Sequence, residues 1–450
     1  MWTRYRWFWL LSAAALAAVA LIPLAEALAG CCFGFRNRAV GGVNITAEGL
    51  VEETTPAFRE ELRREMLRTA KAAPMGMEVA TEIRKVSLRG LDRAIADAYK
   101  NNMAVLPDEV KYLGGLQRIQ YVFVYPEHGD IVLAGPGEGW RINESGAVVG
   151  EKNGRPVIHL DDLIVALRTA EAARTEGISC SIDPTPEGRR KLEEFLRHQQ
   201  TFSPAVIRGV EQALGLQQIS LTGIPADSHF ARMMVAADYR MKRLAMKLEP
   251  APVAGLPSYL DLVRSADGNV TPRWWLACNY EPILRSEDGL AFELQGQGVK
   301  VLTEDEFVGE GGEVKQTGRT SGPAARWAQL MTEKYDELSA AEPVFGELRN
   351  LMDLAVVAAL IQKHDLLSVA KCELPMLLQK EGGAAIETWN VPKAIATQSS
   401  FVKRGTRYII TASGGVQIES WQVASNTKVD EKVGEVRRRS ASSTSNWWWN

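Results

Sequence analysis

Asp227, Ser228 and His229 follow one another in the chain and supply the three side-chain types of a hydrolytic triad. A working triad is assembled from separated positions whose side chains converge, so adjacent residues do not form one by themselves. The same residues are typical of a helix start, with Asp227 or Ser228 as the N-cap and His229 in the first turn. The catalytic alternative requires His229 to act as a general base together with Asp238, Asp227 or a carboxylate from a distant segment.

More charged residues follow on the same predicted helix. Asp238 and Lys242 stand four residues apart, which is the spacing of an ion pair on a helix surface. Arg240 and Lys242 would hold an anionic ligand if this face lined a cleft. A pair on a solvated face is the simpler interpretation, because such pairs are common on protein surfaces.

Trp274 and Trp275 are candidates for lining a binding groove, because Trp combines a large apolar area with one polar N–H group. They stand next to each other in a strand-like run, in which successive side chains point to opposite faces. Core packing is therefore their ordinary role, and a groove is the alternative.

The spacing of cysteine and histidine gives no support for a metal site. The sequence has no Cys-x-x-Cys motif, and its 5 histidines never stand at His-x-x-x-His spacing. Cys180, Cys278 and Cys372 are isolated from one another, and an oxidising compartment permits one disulfide among them without fixing which. We expect neither a metal ion nor a cofactor.

Residues 1–29 have the three parts of an export signal. Arg4 and Arg6 form a basic start, residues 10–22 are an apolar run, and residues 27–29 are an Ala-Leu-Ala cleavage pattern. Residues 28–31 also resemble a lipobox, in which Cys31 would become the lipidated N-terminus, and a retained membrane anchor is the third alternative. The sequence predicts export to the periplasm or cell envelope, or secretion, with membrane contact only through the signal segment or a lipid anchor.

Composition places the chain among globular proteins and limits its partners. The 450 residues are 46% hydrophobic and 24% charged, which is close to the average for globular domains. Because 52 Lys and Arg residues face 55 Asp and Glu residues, there is no basic excess that would favour nucleic acid. The predicted partner is a protein or polymer of the cell envelope.

Strand and helix signals alternate over residues 55–307 and predict an α/β core. Thr-Pro pairs at residues 55–56 and 185–186 are typical of helix starts, and Asp161 is predicted to cap a further helix. Residues 116–134 have the pattern of a β-hairpin, and residues 227–248 have that of a long amphipathic helix.

The remaining segments are assigned by composition. An N-terminal segment, residues 30–54, precedes the core, and a Gly-rich linker, residues 308–323, follows it. Residues 324–390 are predicted to be helical, residues 391–425 to form C-terminal strands, and residues 426–450 to be a disordered tail. The predicted fold class is α+β, a mixed β-sheet with packed helices, followed by a helical segment and a short C-terminal β region.

Five ordered stretches, residues 116–126, 129–136, 237–242, 298–306 and 344–349, resemble domain of unknown function 1598, an uncharacterised family of exported planctomycete proteins. The likeness extends over residues 40–425. The resemblance implies export, and it brings no catalytic residues, because none is established for the family.

These observations favour an exported cell-envelope protein with a structural or binding role over an enzyme. The alternative is an extracytoplasmic hydrolase whose site includes His229 and Asp238. The two are distinguished by whether His229 shares a cleft with a carboxylate or Ser from another segment.

Overall fold

The computed structural model describes residues 42–103, 105–198, 204–263, 270–308, 314–316, 322–404, 406–410 and 412–441. The predicted export signal, Cys31 and residues 442–450 lie outside these ranges, as does most of the predicted linker.

Helices and strands alternate along the described residues. The helices are α1 (Pro56–Thr69), α2 (Leu88–Lys100), α3 (Asp108–Lys111), α4 (Leu160–Glu176), α5 (Pro186–Arg197), α6 (Pro204–Leu214), α7 (His229–Ala245), α8 (Tyr259–Leu262), α9 (Gly322–Glu333), α10 (Tyr335–Ala341), α11 (Pro343–Lys363), α12 (Leu366–Ala370), α13 (Pro375–Leu378), α14 (Ser420–Ser425) and α15 (Glu431–Ser440). Several begin where the sequence predicts, because Thr55, Thr185 and Ser228 each accept a hydrogen bond from a first-turn backbone N–H group.

The strands form two large sheets and two hairpins. They are β1 (Val43–Ile45), β2 (Leu50–Glu53), β3 (Thr81–Ser87), β4 (Tyr121–Tyr125), β5 (Asp130–Gly137), β6 (Trp140–Ile142), β7 (Val148–Gly150), β8 (Ile178–Pro184), β9 (Leu216–Thr222), β10 (Val270–Asn279), β11 (Ile283–Arg285), β12 (Ala291–Glu293), β13 (Gly298–Val308), β14 (Val314–Gln316), β15 (Ala394–Ala396), β16 (Ser400–Arg404), β17 (Thr406–Ile410), β18 (Ser413–Ile418) and β19 (Thr427–Val429). The predicted hairpin is confirmed, since β4 and β5 pair antiparallel.

The larger sheet is mixed, which confirms the predicted α+β class. Its order is β1-β2-β15-β9-β8-β18-β10-β13-β14, and the β2–β15 and β10–β18 pairs are parallel while the others are antiparallel. The smaller sheet has the order β19-β11-β12-β4-β5-β3. The strands β15 and β18 of the C-terminal region thus complete a sheet built mainly by residues that precede them by 100 or more positions.

The centre of the fold is α11, which packs against α4, α7, α10 and α14. Residues 343–361 of this helix are all buried, as expected for a helix that is apolar on every side. Three polar residues are exceptions, and each has a partner. Arg349 donates to Asp336, Asn350 donates to the Pro156 carbonyl, and Asp353 accepts from Arg118. Glu347 is a fourth exception and faces a cleft.

The prediction of a disordered tail over residues 426–450 is wrong for its first part. β19 pairs with β11, and α15 follows it directly. Arg437 of α15 donates to the Val124 carbonyl at 2.7 Å, and its own carbonyl accepts from the Tyr125 hydroxyl at 3.0 Å. With Val433 buried against the smaller sheet, these contacts fix a helix whose sequence lacks a clear apolar stripe.

Cys180, Cys278 and Cys372 are unpaired, so none of the disulfides left open by the sequence forms among them. Cys180 and Cys372 are buried, in keeping with small core residues. Over the part of the chain described, no helix combines the length and apolar character needed to cross a membrane.

Candidate functional site

A cleft of about 1210 Å³ opens beside the first turn of α7. Its walls come from α1, the end of α2, the β6–β7 hairpin, one side of α7, and the first turns of α4 and α11. Pockets for drug-sized ligands occupy roughly 300–1,000 Å³. The cleft is therefore large enough for a short segment of a polymer.

His229 enters this cleft because of how α7 begins. The Ser228 hydroxyl caps the helix by accepting a hydrogen bond from the Ala231 N–H group at 3.1 Å. His229 then occupies the first helical position and is 6% exposed. The helix-start interpretation of this tripeptide is confirmed, with Ser228 as the cap.

Asp162 holds the imidazole of His229. Its two carboxylate oxygens lie 2.9 and 3.1 Å from Nδ1 of His229. A carboxylate at Nδ1 fixes the orientation of the ring and directs Nε2 away from it. Burial by itself lowers the pKa of His229, but the charges of Asp162 and Glu347 raise it to about 9.

Nε2 of His229 faces a second carboxyl group, that of Glu347 on α11. The closest Glu347 oxygen is 4.0 Å from Nε2, beyond hydrogen-bonding distance. Burial raises the pKa of Glu347 to about 7, against the opposing charge of His229. Imidazole and carboxyl group are thus two proton carriers at the cleft wall with a small gap between them.

Two neighbouring groups complete the cluster. The ring of His159 stacks on that of His229 with centroids 4.9 Å apart, and burial together with the His229 charge lowers the pKa of His159 to about 4. Burial raises the pKa of Asp161 to about 6. Near neutral pH, His159 is therefore neutral beside a charged His229. Environments that push neighbouring pKa values apart are typical of acid–base sites.

An extended segment, residues 384–390, forms one side of the cleft, and we call it the strap. The Glu387 N–H group donates to the Asp161 carboxylate at 3.1 Å, and the Trp389 N–H group donates to the Asp227 carbonyl at 2.8 Å. The strap therefore joins the start of α4 to the turn that precedes α7.

Arg232 lies beneath the strap, one turn after His229. It is completely buried, and none of its three guanidinium nitrogens has a hydrogen-bond acceptor among the described residues. The guanidinium carbon lies 4.6 Å from the ring centre of Trp389, and burial lowers the pKa of Arg232 to about 10 against the charge of Glu387. A desolvated cation–π contact contributes about 2 kcal/mol, whereas burying an ion costs several, so this contact offsets only part of the cost.

Arg240, predicted as a binding residue, does line the cleft. It is already paired, with Glu249 and with Glu342, the latter at 2.8 Å. Arg243, one turn further, pairs with Glu53 at 3.2 Å. The charges on this wall therefore neutralise one another.

Asp238 and Lys242 lie on a different side of α7 from His229. They are 0% and 4% exposed, so the prediction of a surface pair is wrong. The Lys242 ammonium group donates to the Asp238 carboxylate at 2.9 Å and to the carbonyls of Ile182 and Gly414. Because α7 packs here on β8 and β18, the pair is sealed between helix and sheet, and Asp238 does not join His229 in a site.

Trp274 and Trp275 separate as adjacent strand residues should. Trp274 is completely buried, with the rings of Trp327 and Tyr259 at 4.9 and 5.1 Å, which leaves no surface for a ligand. Trp275 is partly exposed and stacks under the guanidinium of Arg273 at 4.6 Å. Neither lines the cleft. Asp227 contributes its backbone carbonyl to the strap, and its side chain makes no hydrogen bond to the described residues.

The carboxylates that meet His229 could not be picked out from local sequence. Asp161 and Asp162 fall in the first turn of α4, where acidic residues are common. One sequence feature could have identified Glu347, because it is a charged residue inside the most apolar predicted helix. Among the described residues, no group of His, Cys, Asp and Glu side chains has the geometry to hold a metal ion.

This combination defines an α+β protein with a titratable cleft, and the comparisons with known proteins add a match of one stretch to a family model. Residues 180–259 match the family model described as "Protein of unknown function (DUF1598)", which confirms the resemblance over this stretch. The matched stretch includes His229 and Arg232, while Asp162 and Glu347 lie outside it. No curated protein and no solved structure matches the chain.

Proposed function

We propose that this chain is an exported cell-envelope protein that binds a ligand in the His229 cleft. Export is supported by the signal pattern of residues 1–29. Binding is supported by one observation above all, the buried cluster of His229, Asp162 and Glu347 in the wall of a large cleft.

The cost of this cluster supports a function. A buried charge is expensive unless it is paired and hydrogen-bonded. Glu347 has no hydrogen-bond partner among the described residues, although Arg349 and Asp353 on the same helix do. Perturbed titratable groups in a cleft are typical of functional sites.

A hydrolase is the second candidate, and it is favoured by the position of Glu347. His229 shares the cleft with a carboxyl group from another segment, which is the arrangement that the catalytic alternative requires. Charged His229 would protonate a leaving group, while ionised Glu347 would accept a proton from water. In this version Glu347 and Asp162 take the place that the sequence analysis gave to Asp238.

The proposal is tested by calorimetric titration of the purified chain with three probes. These are a tetramer of N-acetylglucosamine, a tetrapeptide with a free carboxylate, and a hexose phosphate. We expect saturable binding of at least one probe, and weakening by about tenfold in Glu347→Gln and His229→Gln, because both side chains face the cleft.

The matched control is Glu127→Gln. Glu127 is an exposed carboxylate outside the cleft that pairs with Arg437, so this variant should bind like the parent chain. Binding that is equally strong in all variants would place the ligand elsewhere and contradict the proposal. Cleavage of a bound probe that is lost in Glu347→Gln would establish the hydrolase instead of the simple binding protein.

A further inference from the structure

Arg232 is a buried cation without an acceptor. The face of Trp389 covers it at 4.6 Å, and all three guanidinium nitrogens lack a hydrogen-bond partner among the described residues. Buried polar groups in proteins are hydrogen-bonded with few exceptions, and an exception calls for a physical explanation. A cation–π contact does not replace the hydrogen bonds that guanidinium N–H donors lose on leaving water.

We propose that Arg232 is the anion-binding residue of the cleft, and that it takes an oxyanion of the ligand, a carboxylate or a phosphate, when the strap shifts. This rests on the proposed function, since it specifies the chemistry of the ligand. The planar guanidinium fork is matched to two oxygens of such a group.

The position of Arg232 supports this role. It lies three residues after His229 on α7, so the two side chains belong to adjacent turns of the same helix. Trp389 contacts both, at 5.6 Å from the His229 ring and 4.6 Å from the Arg232 guanidinium. An anion held by Arg232 would therefore place the rest of the ligand beside His229.

Arg232 does not line the cleft itself; the strap separates the two, because Trp389 covers Arg232 while Glu387 and Trp389 line the cleft. The strap has no helix or strand hydrogen bonds, and the bonds that hold it, from the Glu387 N–H group to Asp161 and from the Trp389 N–H group to the Asp227 carbonyl, must break or shift when the anion enters. The negative charge of Glu387 stabilises the charged form of Arg232 and raises its pKa against the effect of burial. A ligand oxyanion would take over this role from Glu387.

Two other arginines of α7, which themselves line the cleft, are less suited to the anion. Arg240 and Arg243 already pair with carboxylates of Glu342, Glu249 and Glu53. An incoming anion would have to compete with these carboxylates for the same donors. At Arg232 it meets donors that have no acceptor.

The test is thermal unfolding of the full chain in sodium phosphate, in sodium acetate and in sodium chloride at equal ionic strength. The phosphate arm reports on a phosphorylated ligand and the acetate arm on a carboxylate. We expect one of the two to raise the unfolding temperature above that in chloride, with an apparent Kd at least about tenfold weaker in Arg232→Gln. Arg232→Lys should be intermediate, because an ammonium group keeps the charge and loses the fork.

Two further variants keep the test decisive if Arg232→Gln folds poorly. Glu387→Gln removes a neighbouring negative charge that repels an incoming anion, so the anion should bind more tightly than to the parent chain. Arg84→Gln is the matched control for loss of a buried arginine, since Arg84 is 1% exposed, bonds to the Met77 and Val79 carbonyls and lies outside the cleft. Its anion response should be unchanged.

The outcomes separate this inference from the proposed function. An anion response that persists in Arg232→Gln, or no response in any folded variant together with an unchanged Glu387→Gln, would overturn the role of Arg232. If a neutral probe still bound at His229, the proposed function would stand without it. If neither anions nor probes bound, both would fall.

Discussion

The two ends of α7 both bury charged side chains, but they do so in opposite ways. At the far end, the Lys242 ammonium group has three oxygen acceptors and lies between helix and sheet, away from the large cleft. At the near end, His229 is bonded on one nitrogen only, and it faces Glu347 across 4.0 Å at the wall of a large cleft.

The difference is one of hydrogen-bond satisfaction. The Lys242 ammonium group has an acceptor for each of its three N–H donors and nothing left to offer a ligand. Asp238 Oδ1 beside it lacks a partner among the described residues, but it lies between helix and sheet and does not line the large cleft. Groups left without partners at a cleft carry a cost that a ligand can relieve. The first arrangement is therefore structural, and the second is the candidate site.

Breaking the Asp238–Lys242 pair, which we call the closed pair, should have the largest effect. Lys242→Met leaves the buried Asp238 carboxylate without its counter-charge, and we expect a loss of about 3–5 kcal/mol in the free energy of unfolding, measured by urea denaturation. The double variant Asp238→Asn, Lys242→Met should recover most of this loss. A single-variant loss below about 1 kcal/mol would contradict the closed arrangement.

Removing the carboxylate at the open end should be milder and should alter titration. Asp162→Asn takes away the largest of the contributions that raise the pKa of His229, so burial is opposed only by the remaining carboxylates and this pKa should fall clearly below about 9. Nuclear magnetic resonance titration of the imidazole measures it, and the loss of stability should be about 1–3 kcal/mol. An unchanged pKa would mean that Asp162 does not hold the ring.

Glu347 should make stability depend on pH. Burial raises its pKa from 4.5 to about 7, so between these values the folded chain binds more protons than the unfolded chain. The contribution of Glu347 to the free energy of unfolding therefore falls as pH rises through this window and is constant above it, apart from the separate effect of the raised pKa of His229. Glu347→Gln should remove that fall, an effect of more than about 1 kcal/mol, whereas Glu127→Gln should keep it. Parallel pH profiles for the parent chain and Glu347→Gln would show that Glu347 is not buried as a carboxyl group.

The smallest effect is expected for a surface pair with the same spacing as the closed one. Glu187 and Lys191 stand four residues apart on α5, with side chains 65% and 60% exposed. Lys191→Met should leave the unfolding midpoint in urea unchanged within error, because solvent screens such a pair. A loss of stability comparable to that of Lys242→Met would show that burial does not determine how much such a pair contributes.

Local signals predicted the local structure well. A few neighbouring residues determine each of three features, namely the cap at Ser228, the Thr-Pro helix starts and the β4–β5 hairpin. The burial of Asp238 and Lys242 was not predicted, because a four-residue spacing is the same for a pair on a surface and for a pair packed against a sheet. The burial of this pair depends on β8 and on β18. The residues of β18 lie more than 170 positions after Lys242 in the chain.

The site itself depends on such distant contacts. Asp162 and Glu347 reach His229 only because α4 and α11 both pack against α7. Neither carboxylate stands near His229 in sequence, so a search for catalytic spacing finds Asp227 and Asp238 instead. Likewise, Arg437 fixes α15 through contacts with β4, some 310 residues earlier, which composition does not reveal.

The most direct test of the cleft compares two indole N–H groups. Trp389 in the strap and Trp274 in the core both lack a hydrogen-bond acceptor among the described residues, so in a chain labelled with nitrogen-15 at tryptophan they are matched reporters. Titration with the N-acetylglucosamine tetramer, the tetrapeptide and the hexose phosphate should shift the Trp389 resonance with at least one probe and leave that of Trp274 in place. A probe that binds while the Trp389 resonance stays fixed would contradict the cleft as the binding site.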